Sequence, residues 1–287
     1  ITTAIEHPAV LETMHYLETQ GFEVTYLPVD EKGQLHVTDL EAALRPDTTL
    51  VSIMYANNET GNLLPIAEIA EVLQDHPAIF HTDAVQAYGK VMIRPKELGI
   101  DLLSTSAHKF NGPKGVGFLY KSDQTFLPAY LHGGEQEEKR RAGTENLASI
   151  CGMAKAISLL TPEQQERERE KYRIFGKIVT DHLAEAGVKW QLNGDPQQKL
   201  PQVLNLRFPG VTNDLLLLKL DLKGLAISTG SACTAGNIEP SHVLEAMYGH
   251  KSSATKESIR ISFGYGNTTE DVTLFAKELT ELVKSAQ

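Results

Sequence analysis

Ser104-Thr105-Ser106-Ala107-His108-Lys109-Phe110-Asn111-Gly112-Pro113-Lys114-Gly115 sets one lysine between an apolar run and a turn rich in glycine and proline. The residues leading into it, Ile100-Asp101-Leu102-Leu103-Ser104, read as a short buried strand that the Gly/Pro cluster must end. If the strand runs on through His108, then Ser106 and His108 face the same way and Lys109 points elsewhere. Small polar groups beside a lysine suit a phosphorylated aldehyde. The polar groups hold the phosphate, and the amine condenses with the carbonyl. A solvated turn lysine is the plainer reading of this run taken alone.

A second run narrows the choice. Ile79-Phe80-His81-Thr82-Asp83-Ala84-Val85-Gln86 is an apolar strand ending in an acid, with an amide three residues on. A carboxylate beside a pyridine nitrogen favours the protonated ring and makes it an electron sink, and Gln86 is placed to donate to the ring's phenolic oxygen. The stretch from Asp83 to Lys109 is long enough for one strand–connection–strand unit that brings both strand ends to one edge. Taken alone, such an aspartate is more commonly just the cap of the following turn.

Outward from these runs, strand-like and helix-like segments alternate. Strands are expected over 24–29, 49–56, 79–83 and 100–104, and helices over 38–44 and 65–73. A strand over 116–120 is expected to run antiparallel to its predecessor across the short Gly-rich turn. The pattern predicts an α/β layer with a mostly parallel sheet. A helix over 145–160 carries Leu147, Ile150, Cys151, Ala154 and Ile157 at three- and four-residue spacing, which makes Cys151 an inert core thiol. A boundary falls near Thr161-Pro162. Residues 1–161 are expected to form a large domain and 162–287 a smaller α+β domain with strands near 203–208, 225–228 and 259–263.

The bulk composition excludes several classes. With 27 Lys and Arg against 37 Asp and Glu, the net charge is −10, which disfavours an electrostatic nucleic-acid binder. No apolar run approaches a membrane span and no signal-peptide pattern opens the chain. Two cysteines are no disulfide framework, so a reducing cytoplasm is the expected setting.

Five motifs in order give the chain a likeness to a known family. They are Asn57-Asn58-Glu59-Thr60-Gly61, the Asp83/Gln86 pair, the Ser106/His108/Lys109 run, Arg141-Ala142-Gly143-Thr144, and Ser228-Thr229-Gly230-Ser231-Ala232-Cys233-Thr234. With Glu6-His7-Pro8-Ala9-Val10 at one end and Ser258 to Gly264 at the other, the whole chain resembles the cysteine desulfurases of the NifS/IscS type. These belong to the class V aminotransferase superfamily and have fold type I of the pyridoxal 5'-phosphate enzymes.

The resemblance implies the following roles. His7 stacks on the pyridine face and shuttles protons, against a plain helix-start histidine. Asn58 contacts the cofactor or the substrate carboxylate region, while Glu59 braces its loop. Thr144 reaches the phosphate of a neighbouring subunit, which implies a homodimer. Arg260 holds the substrate carboxylate, against a structural salt bridge. Cys233, among small and polar residues expected to form a mobile surface loop, takes sulfur from L-cysteine as a persulfide and leaves alanine. The sulfur then passes to an acceptor such as an iron–sulfur scaffold protein or a tRNA-thiolating enzyme.

Measured against that family, the chain is expected to lack a leading segment on the order of a quarter of the usual length, which carries a phosphate-gripping threonine loop. Two rivals stand beside this reading. One is another aminotransferase or lyase on the same cofactor, which needs no loop cysteine. The other is a cofactor-free scaffold for sulfur-transfer partners.

Overall fold

The computed structural model describes residues 1–230 and 240–287. Cys233 lies outside the described residues. In chain order the elements are β1 (Thr2–Thr3), α1 (Pro8–Thr19), β2 (Tyr26–Leu27), α2 (Val37–Ala43), β3 (Leu50–Ser52), α3 (Ile66–Leu73), β4 (Ile79–Asp83) and β5 (Leu102–Ser104). They continue as β6 (Leu119–Lys121), α4 (Gln136–Lys139), α5 (Leu147–Ser158), α6 (Pro162–Glu185), β7 (Gln191–Leu192), β8 (Val203–Arg207) and α7 (Asn213–Asp221). The last four are α8 (His242–Tyr248), α9 (Ala254–Glu257), β9 (Ser258–Ser262) and α10 (Thr269–Ala286). Two compact units emerge, each discontinuous along the chain: residues 45–55 with 66–165, and residues 1–44 with 56–65 and 166–287. The division expected at 161/162 is, by contrast, a single cut.

In the first of these units β3, β4 and β5 run parallel and β6 runs antiparallel to β5. The expected direction of the 116–120 strand is thus met. Parallel pairing forces long crossovers, here carrying α3, and it points the ends of β4 and β5 the same way. Asp83 closes β4 and Ser104 closes β5, and the two are register partners. The core beyond them gathers Ala107, Phe110, Met153 and Ala156, with Tyr88 against the Phe110 and Phe118 rings.

α5 turns a different face inward from the one expected. Met153 and Ala156 are buried, whereas Cys151 is exposed, so it is not a core thiol. The reason is angular. At 100° per residue Met153 stands on nearly the opposite side of the helix from Cys151. A methyl group on Gly152 would come within 2.7 Å of Pro113 Cγ, so the helix lies close against the Gly112-Pro113 turn.

The other unit holds the parallel pair β1–β2 and the antiparallel sheet β7–β8–β9. Its core is larger. Phe175, Val179 and Leu183 of α6, Leu206 and Phe208 around β8, Ile259 and Ile261 of β9, and Phe275 and Leu279 of α10 pack together. α10 opens with a capping box in which Thr268 and Asp271 satisfy each other's backbone N–H groups. The strand expected over 225–228 shrinks to a single bridge between Ser228 and Arg260.

Candidate active site

The predicted cofactor residues Asp83, Gln86, Ser106, His108 and Lys109 all fall in the unit of residues 45–55 and 66–165. β5 ends at Ser104 rather than running through His108, and a single 3-10 turn spans Ala107–Phe110. Asn111, at φ 64°, closes that turn in the left-handed conformation that asparagine tolerates. The turn still brings Ser106 and His108 together, with Ser106 Oγ 2.9 Å from His108 Nδ1. Burial first, and then the charges of Lys109 and Lys114, lower the His108 pKa below its ordinary value. Lys109 is exposed on this turn.

Asp83 is 9% exposed, and its Oδ1 accepts the Val85 N–H at 2.9 Å. It therefore caps the following turn and also presents a carboxylate at the strand end. Gln86 lies in that turn, partly exposed. The Ala84 N–H donates to the Ser104 carbonyl at 3.0 Å, so pairing continues to the rim of the sheet. Acid, amide, hydroxyl–imidazole pair and amine match the ring nitrogen, phenolic oxygen, phosphate and aldehyde of pyridoxal phosphate, and this donor set fits the group. A cleft of about 810 Å³ in the same unit is lined by Glu71, His76, Ile79, Lys96 and Asp101, at the opposite ends of the strands. None of the predicted site residues lines it.

His7, Asn58 and Arg260 belong to the other unit. His7 is the N-cap of α1, with Pro8 in the first helical position, and its Nδ1 accepts the Ala9 N–H at 3.1 Å. In the neutral ring the proton then sits on Nε2. The 57–61 turn is a buried polar hub. Asn57 Oδ1 accepts the N–H groups of Glu59 at 2.8 Å and Thr60 at 3.0 Å, while Asn57 Nδ2 donates to the Ile5 carbonyl at 2.9 Å. Gly61 leaves the turn at φ 81°, and a Cβ there would stand 3.0 Å from the Leu200 carbonyl. Only glycine suits both demands.

Three distant side chains end on this hub. The Arg260 guanidinium donates to the Asn58 carbonyl at 3.2 Å, and Asn205 Nδ2 donates to the Glu59 carbonyl at 3.1 Å. The Ser241 hydroxyl donates to the Glu59 carboxylate. The bracing role expected of Glu59 thus has a partner that sequence reasoning missed. Its only local signal is that Ser241 also caps α8, accepting the Leu244 N–H. Next to it, His242 Nε2 donates to the Glu6 carbonyl at 2.8 Å, one residue before His7. The side-chain oxygen of Asn58 is buried with no hydrogen-bond partner among the described residues. Thr144 sits in an exposed loop between α4 and α5.

A parallel sheet whose strand ends carry an acid and a lysine turn defines a class, and comparison with known proteins agrees. Residues 1–275 match the aminotransferase class-V family, and the chain belongs to it. A Bacillus subtilis (strain 168) relative named for cysteine desulfurase activity, IscS 1, is 54% identical over 284 residues, covering 99% of this chain and 75% of that protein. A solved NifS-like protein superposes with a TM-score of 0.89 at 35% identity, over 99% of this chain and 74% of its own. SspA, solved in complex with cysteine, superposes with a TM-score of 0.76 at 35% identity, over 91% and 72%. Within the family the chain is a cysteine desulfurase of the IscS/NifS type, dependent on pyridoxal phosphate.

Proposed function

We propose that sulfur leaves L-cysteine through the chemistry of the residues named above, and that Cys233 carries it away. When bound, pyridoxal phosphate supplies the electron sink that lets the α-carbon lose a proton. In this reading Asp83 meets the ring nitrogen, Gln86 the phenolic oxygen, and Ser106 and His108 the phosphate. The Lys109 amine holds the aldehyde and, once displaced, takes the α-proton of the substrate. His7 stacks on the ring, and its Nε2–H is the proton it can give. Arg260 and Asn58 orient the substrate carboxylate. The Cys233 thiolate attacks the substrate sulfur, so the carbon–sulfur bond breaks as the sulfur–sulfur bond forms. L-cysteine and the Cys233 thiol become alanine and a Cys233 persulfide.

The observation that carries this reading is the shared edge of β4 and β5, where Asp83 is register-paired with Ser104 and the Lys109 turn follows Ser104. On the same footing, residues 1–161 are read as the cofactor-binding domain and 162–287 as the domain of the cysteine loop. Thr144 is assigned to the phosphate of a second subunit in a homodimer. Exposed Tyr130 and Leu131, the latter accepting the Ala142 N–H, support a subunit contact beside it. The acceptor is a sulfur-carrying protein of iron–sulfur assembly or tRNA thiolation, in the cytoplasm. Among the described residues no helix is long and apolar enough to cross a membrane.

The test is borohydride reduction of the cofactor-supplied protein followed by peptide mass analysis. Labelling is expected on Lys109 and to be lost in Lys109→Ala. Cys233→Ser should keep the label yet gain no persulfide mass with L-cysteine. A label elsewhere, or full turnover in Cys233→Ser, refutes the assignment.

A further inference from the structure

Two residues before Asp83 on β4, the His81 ring is engaged at both nitrogens. Ser52 Oγ of β3 lies 2.7 Å from Nδ1, and Ser104 Oγ of β5 lies 2.9 Å from Nε2. The chemistry described above uses none of these three residues. Register places Ser52 opposite His81 and Ser104 opposite Asp83. Residues two apart on a strand share a face, so His81 and Asp83 stand on the same side of the sheet. The string thus crosses three neighbouring parallel strands and ends on the residue paired with the acid. From Ser104 the backbone stays extended to Ser106, at φ −140° and ψ 121°, and then turns into the segment that bears Lys109.

A neutral imidazole has one donor and one acceptor, and a hydroxyl supplies either. The string is therefore satisfied whichever way its protons run. Burial lowers the His81 pKa to about 4, which keeps the ring neutral near pH 7. An imidazolium at this place would be a competing cation on the face that carries Asp83. A neutral ring leaves that carboxylate's charge to be answered by the group it binds.

We propose that Ser52, His81 and Ser104 form a positioning device that fixes the end of β4 against β3 and β5, and so sets Asp83 against the lysine turn. The proposal rests on the assignment of Asp83 to the cofactor ring. Serine-to-alanine changes test it, because they remove one hydroxyl and leave backbone and volume almost untouched. Cofactor-loaded protein would be compared with Ser52→Ala, Ser104→Ala and Asp83→Asn, and with Ser104→Ala in the Asp83→Asn background. The readouts are the dissociation constant for pyridoxal phosphate, the visible absorbance against pH, and kcat and KM for L-cysteine.

Losing one hydrogen bond beside the acid is expected to weaken cofactor binding about 5- to 10-fold in Ser104→Ala. Ser52→Ala, one register step further away, should cost roughly 2- to 3-fold. The expected kinetic signature is a fall in kcat with KM for L-cysteine almost unmoved. In the Asp83→Asn background Ser104→Ala should add less than about 2-fold, because coupled positions are not additive. An equal loss in both backgrounds, or none in either, overturns the string as a device acting through Asp83. Unchanged binding and absorbance in Asp83→Asn itself would instead overturn the assignment of the acid, and the proposal with it.

Discussion

Replacing Asn57 with alanine should damage this protein more than any single contact suggests. The side chain answers three buried backbone groups at once: the Ile5 carbonyl and the N–H groups of Glu59 and Thr60. Ile5 and Glu59 are 0% exposed and Thr60 is 1% exposed, so water has no ready path to any of them. A buried polar group left without a partner costs about 1–3 kcal/mol. With partial relaxation, three such groups give a loss of roughly 3–5 kcal/mol. Against a total stability of about 5–15 kcal/mol, that is a large fraction. Asn267→Ala is the control. It removes one solvent-exposed bond to the Gly264 N–H and should cost less than about 1 kcal/mol. Urea titration followed by circular dichroism gives both numbers under one set of conditions. KM for L-cysteine should also rise in Asn57→Ala, because the loosened turn carries the carbonyl that receives Arg260. Equal costs for the two variants, or a loss below about 1 kcal/mol in Asn57→Ala, would refute the reasoning.

Arg260→Lys keeps the charge but loses the planar fork, so KM for L-cysteine should rise about tenfold while cofactor affinity stays put. An unchanged KM would remove Arg260 from substrate binding. Lys199 carries a buried amine with no hydrogen-bond partner among the described residues, and burial lowers its pKa from 10.5 to about 8. The native state resists this proton, so the penalty is full below pH 8 and fades as pH rises towards 10.5. Lys199→Met should accordingly be more stable at pH 7 by about 1–3 kcal/mol, with the difference closing in alkaline solution. A wild type at least as stable at pH 7 contradicts this. His81, with a pKa lowered by burial from 6.5 to about 4, gives an acid limb. Below pH 6.5 the unfolded chain binds a proton that the native ring refuses, so stability falls progressively towards pH 4, by up to about 3 kcal/mol. His81→Gln should flatten that limb in pH-dependent denaturation, and its persistence would assign the acid sensitivity elsewhere.

What could be read from the chain was what short-range pattern encodes. Apolar runs closed by an acid or by a Gly/Pro cluster located β4, β5 and the lysine turn. Three- and four-residue spacing of apolar side chains located α5. The misjudged face of α5 shows the limit of periodicity. Leu147 to Ile157 offers two apolar stripes, and only packing against Pro113 and Phe110 selects the one with Met153 and Ala156. The Asn57–Gly61 hub was visible as a motif, but its function as a junction was not. Its partners Ile5, Asn205, Ser241 and Arg260 come from remote points of the chain, and no local rule pairs them. The Ser52–His81–Ser104 string was missed for the same reason, since single serines on two other strands carry no signal until register is known.

The convergence of Arg260, Asn205 and Ser241 on one short turn limits how this enzyme can be redesigned. On the proposed role of Arg260, a change there meant to admit a bulkier amino acid would also pull on the carbonyl of Asn58, and through it on groups anchored by asparagine and serine. Variants selected for new substrates should therefore arrive with compensating second-site changes at 205 or 241, and libraries that vary position 260 alone should yield few soluble hits.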